Sequence, residues 1–159
     1  MKWVKGDIWI YWKLGKIIVI PTNAGWKSDG SNVMGRGLSK QASEKIVGLP
    51  FRYGKNCIKR EPYQYYEDIR LILVPTKPLN EQQPYLSWKQ DANKETITDS
   101  LIWLNENAES FKSDKVYVPI LGAGNGKMDK NMVKLLMDKY LKRPKFIGVE
   151  IDYDPEKKY

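Results

Sequence analysis

Apolar runs and polar, glycine-bearing breaks alternate along the chain. Ile17-Ile18-Val19-Ile20 is a β-branched run that predicts a strand buried on both faces, ending at Pro21. Leu38, Ala42 and Ile46 then recur four apart, the spacing of a helix, which Gly48-Leu49-Pro50 closes. Ile69 to Val74 and Val116 to Ile120 predict two more buried strands, and Lys145 to Ile151 a last one. Ile97, Leu101, Leu104 and Ala108 mark one helical face, and Met132, Val133, Leu136, Met137 and Tyr140 another. Asp129 is placed to cap the second of these helices, and Ser87 with Gln90 forms an S-x-x-Q capping box ahead of the first. Met1 to Trp12 reads as a strand, a break at Gly6-Asp7, and a short strand or helical turn. Leu14-Gly15-Lys16 then reads as a hairpin-type turn. Val47 to Tyr66 is aromatic and basic, with Phe51 to Lys55 and Tyr63 to Tyr66 as strands or irregular structure. Strand and helix signals alternate over 1–159, predicting a single three-layer α/β/α domain with a mixed central sheet of about six strands and a polar tail at 152–159.

Two of the predicted strands run into glycine loops. The first loop leads through Val33-Met34-Gly35-Arg36-Gly37 into a helix, and the second is Leu121-Gly122-Ala123-Gly124-Asn125-Gly126. Loops after strands of an open α/β sheet hold ligands, and helix-start amides favour phosphate. Neither loop is a Walker A or a GxGxxG sequence. Together they suit the two sides of a diphosphate. Between Asn23 and the first loop, Trp26 to Asn32 is polar and reads as a lid or as a plain surface loop. Lys77, in Pro75-Thr76-Lys77-Pro78, falls at the carboxyl end of a central strand. Asp7 fits either a Gly-Asp turn or an acceptor for an amino group.

The 159 residues suffice for one core, and 42% apolar content is ordinary for a globular protein. No apolar run has the length of a membrane span, and the first residues lack the apolar core of a signal peptide. The single cysteine, Cys57, excludes an internal disulfide framework and fits a reducing cytoplasm. With no histidine, His-based triads, His metal sites and the usual neutral-pH base are excluded, so neither metal nor cofactor is expected. The net charge of +8 suits an anionic partner. Its lysines are scattered, which leaves nucleic-acid contact and simple solubility both open. A monomer is the default.

Gly6-Asp7-Ile8, Asn23, Val33-Met34-Gly35-Arg36-Gly37-Leu38-Ser39 and Pro119 to Gly126, in this order and over nearly the whole chain, resemble a macro domain. The V-M-G-x-G stretch, with Pro75-Thr76-Lys77 followed by Ser87, is similar to the branch of DNA ADP-ribosyl glycohydrolase antitoxins, near the ADP-ribose 1″-phosphate phosphatases. The resemblance implies a hydrolase that binds ADP-ribose and removes it from a modified nucleic acid or protein, in a bacterial or phage setting. Alternatives are the phosphatase activity and a non-catalytic ADP-ribose-binding module. By resemblance Asp7 takes the adenine amino group with the Ile8 amide nearby, and Tyr153 packs on adenine. Val33, Met34, Gly35, Arg36 and Gly37 form one phosphate loop, and Leu121, Gly122, Ala123, Gly124, Asn125 and Gly126 the other. Asn23 faces the distal ribose, and Lys77 removes ADP-ribose, in some members through an adduct with the opened ribose. The chain departs from this pattern in two places. The Trp26 to Ser31 insert is longer, and no acid follows the late loop before Asp129.

Overall fold

The computed structural model describes residues 1–124 and 126–151. Its strands are β1 (Lys2–Lys5), β2 (Ile17–Asn23), β3 (Gln64–Tyr66), β4 (Leu71–Lys77), β5 (Val116–Pro119) and β6 (Phe146–Glu150). Its helices are α1 (Ile8–Lys13), α2 (Gly37–Lys45), α3 (Leu49–Ile58), α4 (Lys94–Glu106) and α5 (Lys130–Tyr140). The six strands form one sheet in the order β1-β6-β5-β2-β4-β3. All neighbours are parallel except β3, which is antiparallel to β4. The expected mixed α/β sheet is therefore present.

Side chains alternate across a strand, so each central strand feeds two cores. Ile17 and Val19 of β2, with Ile72 and Val74 of β4, point to α4 and α5, where they meet Ile97, Leu101, Leu104, Val133 and Met137. Ile18, Ile20, Leu71 and Leu73 point the other way, to Ile8 and Trp9 of α1, Leu38 and Ala42 of α2, and Leu49, Tyr53 and Cys57 of α3. This is why these runs read as continuous apolar stretches rather than as an alternation.

Several local expectations are corrected. Leu14-Gly15 is no hairpin turn. Leu14 caps α1 at its carboxyl end, and Gly15 follows at φ 86°. Pro21 does not end β2. Beyond Ile18 the strand has only β4 as a registered partner, so the missing proline N–H costs the sheet nothing on the β5 side. Phe51 to Lys55 is helical, part of α3, whose buried residues Leu49, Tyr53 and Cys57 are spaced four apart. Ser87 does not cap α4. It is fully buried in a 3₁₀ turn over Pro84–Lys89, and its Oγ accepts the Asn80 amide at 2.9 Å. Asn93 is the cap, accepting from the Thr96 amide at 2.8 Å. Asp129 caps α5 as expected, accepting from the Met132 amide at 2.9 Å.

Candidate functional site

A cavity of about 550 Å³ opens along the carboxyl ends of β4, β2, β5 and β6. The sheet order sets what lies where. Thr76 and Lys77 come from β4, with Trp88 beside them. Pro21, Thr22 and Asn23 come from β2, Pro119 from the end of β5 with Ile120 just after it, and Glu150 from the end of β6 with Ile151 just after it. Val33, Gly35, Arg36 and Gly37 line one side, and Gly122, Ala123, Gly124 and Gly126 line another. The two glycine loops thus face one cavity, as connections on either side of a strand-order reversal do.

Asn23 and Lys77 are brought side by side by a bulge. Thr22 pairs with Pro75, but Asn23 pairs with Lys77, so Thr76 is the extra residue in β4. Asn23 is 6% exposed, and its amide shapes the first loop. Nδ2 donates to the Val33 carbonyl at 2.9 Å, and Oδ1 accepts from the Gly25 amide at 3.0 Å and from Asn32 Nδ2 at 3.1 Å. Lys77 is partly buried, and its Nζ donates to the Trp88 carbonyl at 2.9 Å. Burial lowers the Lys77 pKa below 10.5. Arg36 and Lys127 push the same way, and Asp91 opposes them. The amine therefore gives up its proton more readily than a surface lysine.

The late loop is tied through backbone hydrogen bonds, one from just beyond it and one from the segment ahead of α4. The Met128 amide donates to the Gly122 carbonyl at 2.9 Å, and the Ala92 amide to the Gly126 carbonyl at 3.3 Å. Gly122 has φ 77°, and a side chain on Gly126 would collide with the Gly122 carbonyl and Ala92 Cβ. Only glycine fits either place.

The charged side chains of the lining carry a net positive charge. Arg36, Lys77 and Lys130 face the cavity, and among the described residues Glu150 is the one acid that does. Lys130 and Lys134 both pair with Glu150 and hold its carboxyl below the usual range. Such a surface attracts anions. Among the described residues no cluster of three metal-ligating side chains occurs. No helix among them is long and apolar enough to cross a membrane.

Several expected residues lie elsewhere. Ile8, Met34 and Leu121 are buried in the cores rather than lining the cavity. Asp7 caps α1, with Oδ1 accepting the Trp9 amide at 2.9 Å, and also does not line it. Asn125 and Tyr153 lie outside the described residues. The Trp26 to Asn32 segment, read as a lid or a surface loop, does not line the cavity. The Lys27 amide donates to the Ser31 carbonyl at 2.8 Å, Asp29 Oδ1 accepts from the Ser31 hydroxyl at 2.6 Å, and the Asn32 amide donates to the Pro50 carbonyl at 2.9 Å. The insert is a closed turn against α3, and the Trp26 ring lies under the Arg60 guanidinium, 5.0 Å from it. Trp88, Lys130 and Glu150 line the cavity without having stood out in the sequence. Glu150, in the last predicted strand, was the most accessible of the three to inference.

These observations define an α/β/α domain with an open cleft, bearing Arg36, Lys77 and Lys130, along the carboxyl edge of a mixed sheet. Comparison with solved structures narrows it to the macrodomain fold. The chain is similar to Thermosipho africanus DarTG in complex with ADP-ribose, with a TM-score of 0.73 and 21% identity over 100% of this chain, which spans 43% of that one. It is also similar to the macrodomain of Thermus aquaticus DarG, with a TM-score of 0.68 and 23% identity over 97% of each chain. The macrodomain of Mycobacterium tuberculosis DarG gives a TM-score of 0.66 and 23% identity over 86% of this chain and 88% of that one. No family model and no curated protein matches the sequence.

Proposed function

We propose that the cleft binds ADP-ribose and that the protein is a hydrolase removing it from a modified macromolecule. The observation that carries the reading is the pairing of Asn23 with Lys77 inside the cavity that both glycine loops face. The similarity to a DarTG structure holding ADP-ribose supports the choice of ligand. The glycine loops and Arg36 hold the diphosphate, which fixes the distal ribose against Asn23 and Lys77. Lys77 is suited to attack because burial and neighbouring cations favour its neutral form. In that step the neutral Lys77 Nζ bonds to C1″ as the bond from C1″ to the macromolecule breaks, and the leaving group takes one Nζ proton. The C1″–O4″ bond of the resulting glycosylamine then opens, O4″ takes the second Nζ proton, and a C1″=Nζ imine forms. Water hydrolyses that imine, releasing open-chain ADP-ribose, which recloses, and the free amine.

Titration with ADP-ribose, with AMP as the control, tests the binding half. Micromolar or tighter affinity for ADP-ribose, well above AMP, is expected. Lys77→Ala tests the chemical half on ADP-ribosylated DNA and protein. Turnover is expected to vanish while ADP-ribose affinity stays within about threefold. Unchanged turnover in that variant removes Lys77 from the mechanism. A second reading, a binding module without turnover, is favoured by one observation: Asp129, the first acid after the late loop, is committed to capping α5. Tight ADP-ribose binding with no turnover of either substrate would select it.

A further inference from the structure

Resting on the reading of Lys77 as the attacking amine, we propose that the 3₁₀ turn Pro84–Lys89, seated on Gly25, is the element that aims it. A lysine amine on its flexible four-carbon stem can reach many positions, and burial alone does not choose among them. Here one bond chooses. Lys77 Nζ donates to the Trp88 carbonyl at 2.9 Å, and that carbonyl belongs to the turn rather than to the sheet that carries Lys77. An amine anchored through one N–H swings about that bond, so its lone pair sweeps an arc instead of every direction the free side chain could reach.

The turn itself has little freedom. Ser87 is fully buried, and its Oγ accepts the Asn80 amide at 2.9 Å. Gln90 closes the far end, its amide donating to the Ser87 carbonyl at 3.2 Å and its Nε2 to the Pro78 carbonyl at 3.1 Å. Gly25 forms the seat. A Cβ there would collide with the Pro84 carbonyl oxygen and with Cβ and Oγ of Ser87, so the turn lies directly on the Gly25 backbone. Gly25 is itself held on both sides: its amide donates to Asn23 Oδ1 at 3.0 Å, and its carbonyl accepts from Asn32 Nδ2 at 2.8 Å. Contacts therefore run from Asn23 through Gly25 and Ser87 to the acceptor of Lys77. The bulge at Thr76 sets Lys77 opposite Asn23, and the turn fixes where its amine ends. Neither Gly25 nor Ser87 lines the cavity, so both are positioning residues that act through Lys77.

The test separates aim from affinity. With ADP-ribose at saturation, its open form condenses with Lys77 Nζ and water leaves. Cyanoborohydride then delivers hydride to C1″, and mass spectrometry counts the secondary amine left on Lys77. Formaldehyde with the same reductant labels the Lys77 amine in whatever direction it points. Gly25→Ala pushes the turn off its seat. Ser87→Ala frees the turn from Asn80 without altering Gly25, which keeps the proposal testable if Gly25→Ala does not fold. Each variant is expected to slow the ADP-ribose label at Lys77, and turnover with it, by about tenfold or more, with ADP-ribose affinity kept within about threefold and the formaldehyde label within about twofold. A wild-type rate of ADP-ribose labelling in both variants overturns the proposal and leaves Lys77 as the nucleophile. A matching loss of ADP-ribose affinity or of the formaldehyde label also overturns it, since the turn would then support the cleft or the exposure of the amine rather than its aim. A wild type that binds ADP-ribose yet takes no label at Lys77 overturns both this proposal and the reading of Lys77 on which it rests.

Discussion

Gly54 sits inside α3, where alanine would ordinarily be the better residue by about 1 kcal/mol. Here the sign is expected to reverse. A Cβ at this position would run into the Gly30 carbonyl, the Ser31 carbonyl carbon and the Asn32 amide nitrogen, which are backbone atoms of the insert and cannot rotate aside. One way out is for the insert to lift. That breaks the bond from the Asn32 amide to the Pro50 carbonyl, for about 1 kcal/mol, and disturbs the buried Asn32 side chain, for about 1–3 kcal/mol more. The other is for α3 to shift, at the 1–3 kcal/mol typical of overpacking. After the gain in helix propensity, Gly54→Ala is expected to lose about 2 kcal/mol, which at roughly 2–4 °C per kcal/mol lowers Tm by about 6 °C. Because Asn32 bonds to Asn23 and Asn23 holds Val33, ADP-ribose affinity is expected to fall as well. Urea denaturation and a thermal melt, each beside the wild type, are the assays. A variant that is more stable than the wild type, as propensity alone dictates, refutes the packing described for the insert.

Turnover, if Lys77 acts as a neutral amine, is expected to rise with pH toward a Lys77 pKa below 10.5, and Lys77→Arg, which stays charged, is expected to abolish the rise. The same depression means the protonated form is disfavoured by folding, so the wild type is expected to gain stability relative to Lys77→Met as pH climbs from the folded pKa to 10.5, read from Tm against pH. Cys57 is 1% exposed and its thiol is pushed up to about 12, chiefly by burial, so a thiol reagent at pH 8 is expected to label it only once denaturant is added. Asn93→Ala is expected to cost about 1 kcal/mol in urea unfolding through loss of the α4 cap.

The sheet was legible because its central strands are buried on both faces, which turns them into unbroken β-branched runs such as Ile17 to Ile20 and Ile69 to Val74. The two glycine loops were legible as loops after strands, and their convergence on one cavity followed. α3 was missed because Phe51, Arg52 and Tyr53 look like strand residues one by one. The four-residue spacing of Leu49, Tyr53 and Cys57 was nonetheless present. Ser87-Gln90 has the letters of a cap, but its hydroxyl is spent on Asn80. The cap lies where Asn93 precedes the periodic residues beginning at Ile97. Nothing in the sequence announces the bulge at Thr76 that sets Lys77 opposite Asn23, because a one-residue slip between strands leaves no trace in either strand's own pattern. Trp88 was equally hidden, since its place depends on a 3₁₀ turn packed against Gly25.

The pairing of β1 with β6 has a consequence during synthesis. In the sheet Lys2 to Lys5 pair with residues 147–150, so during synthesis β1 must wait, unpaired, until β2 to β5 and all five helices have been made before β6 appears. A waiting strand with free backbone groups invites pairing with a neighbouring nascent chain. Trp3 and Val4 would favour that. Lys2 and Lys5, exposed at either end of the strand, work against it by placing like charges on any two copies that approach. On this view the two lysines serve the protein most before it has folded.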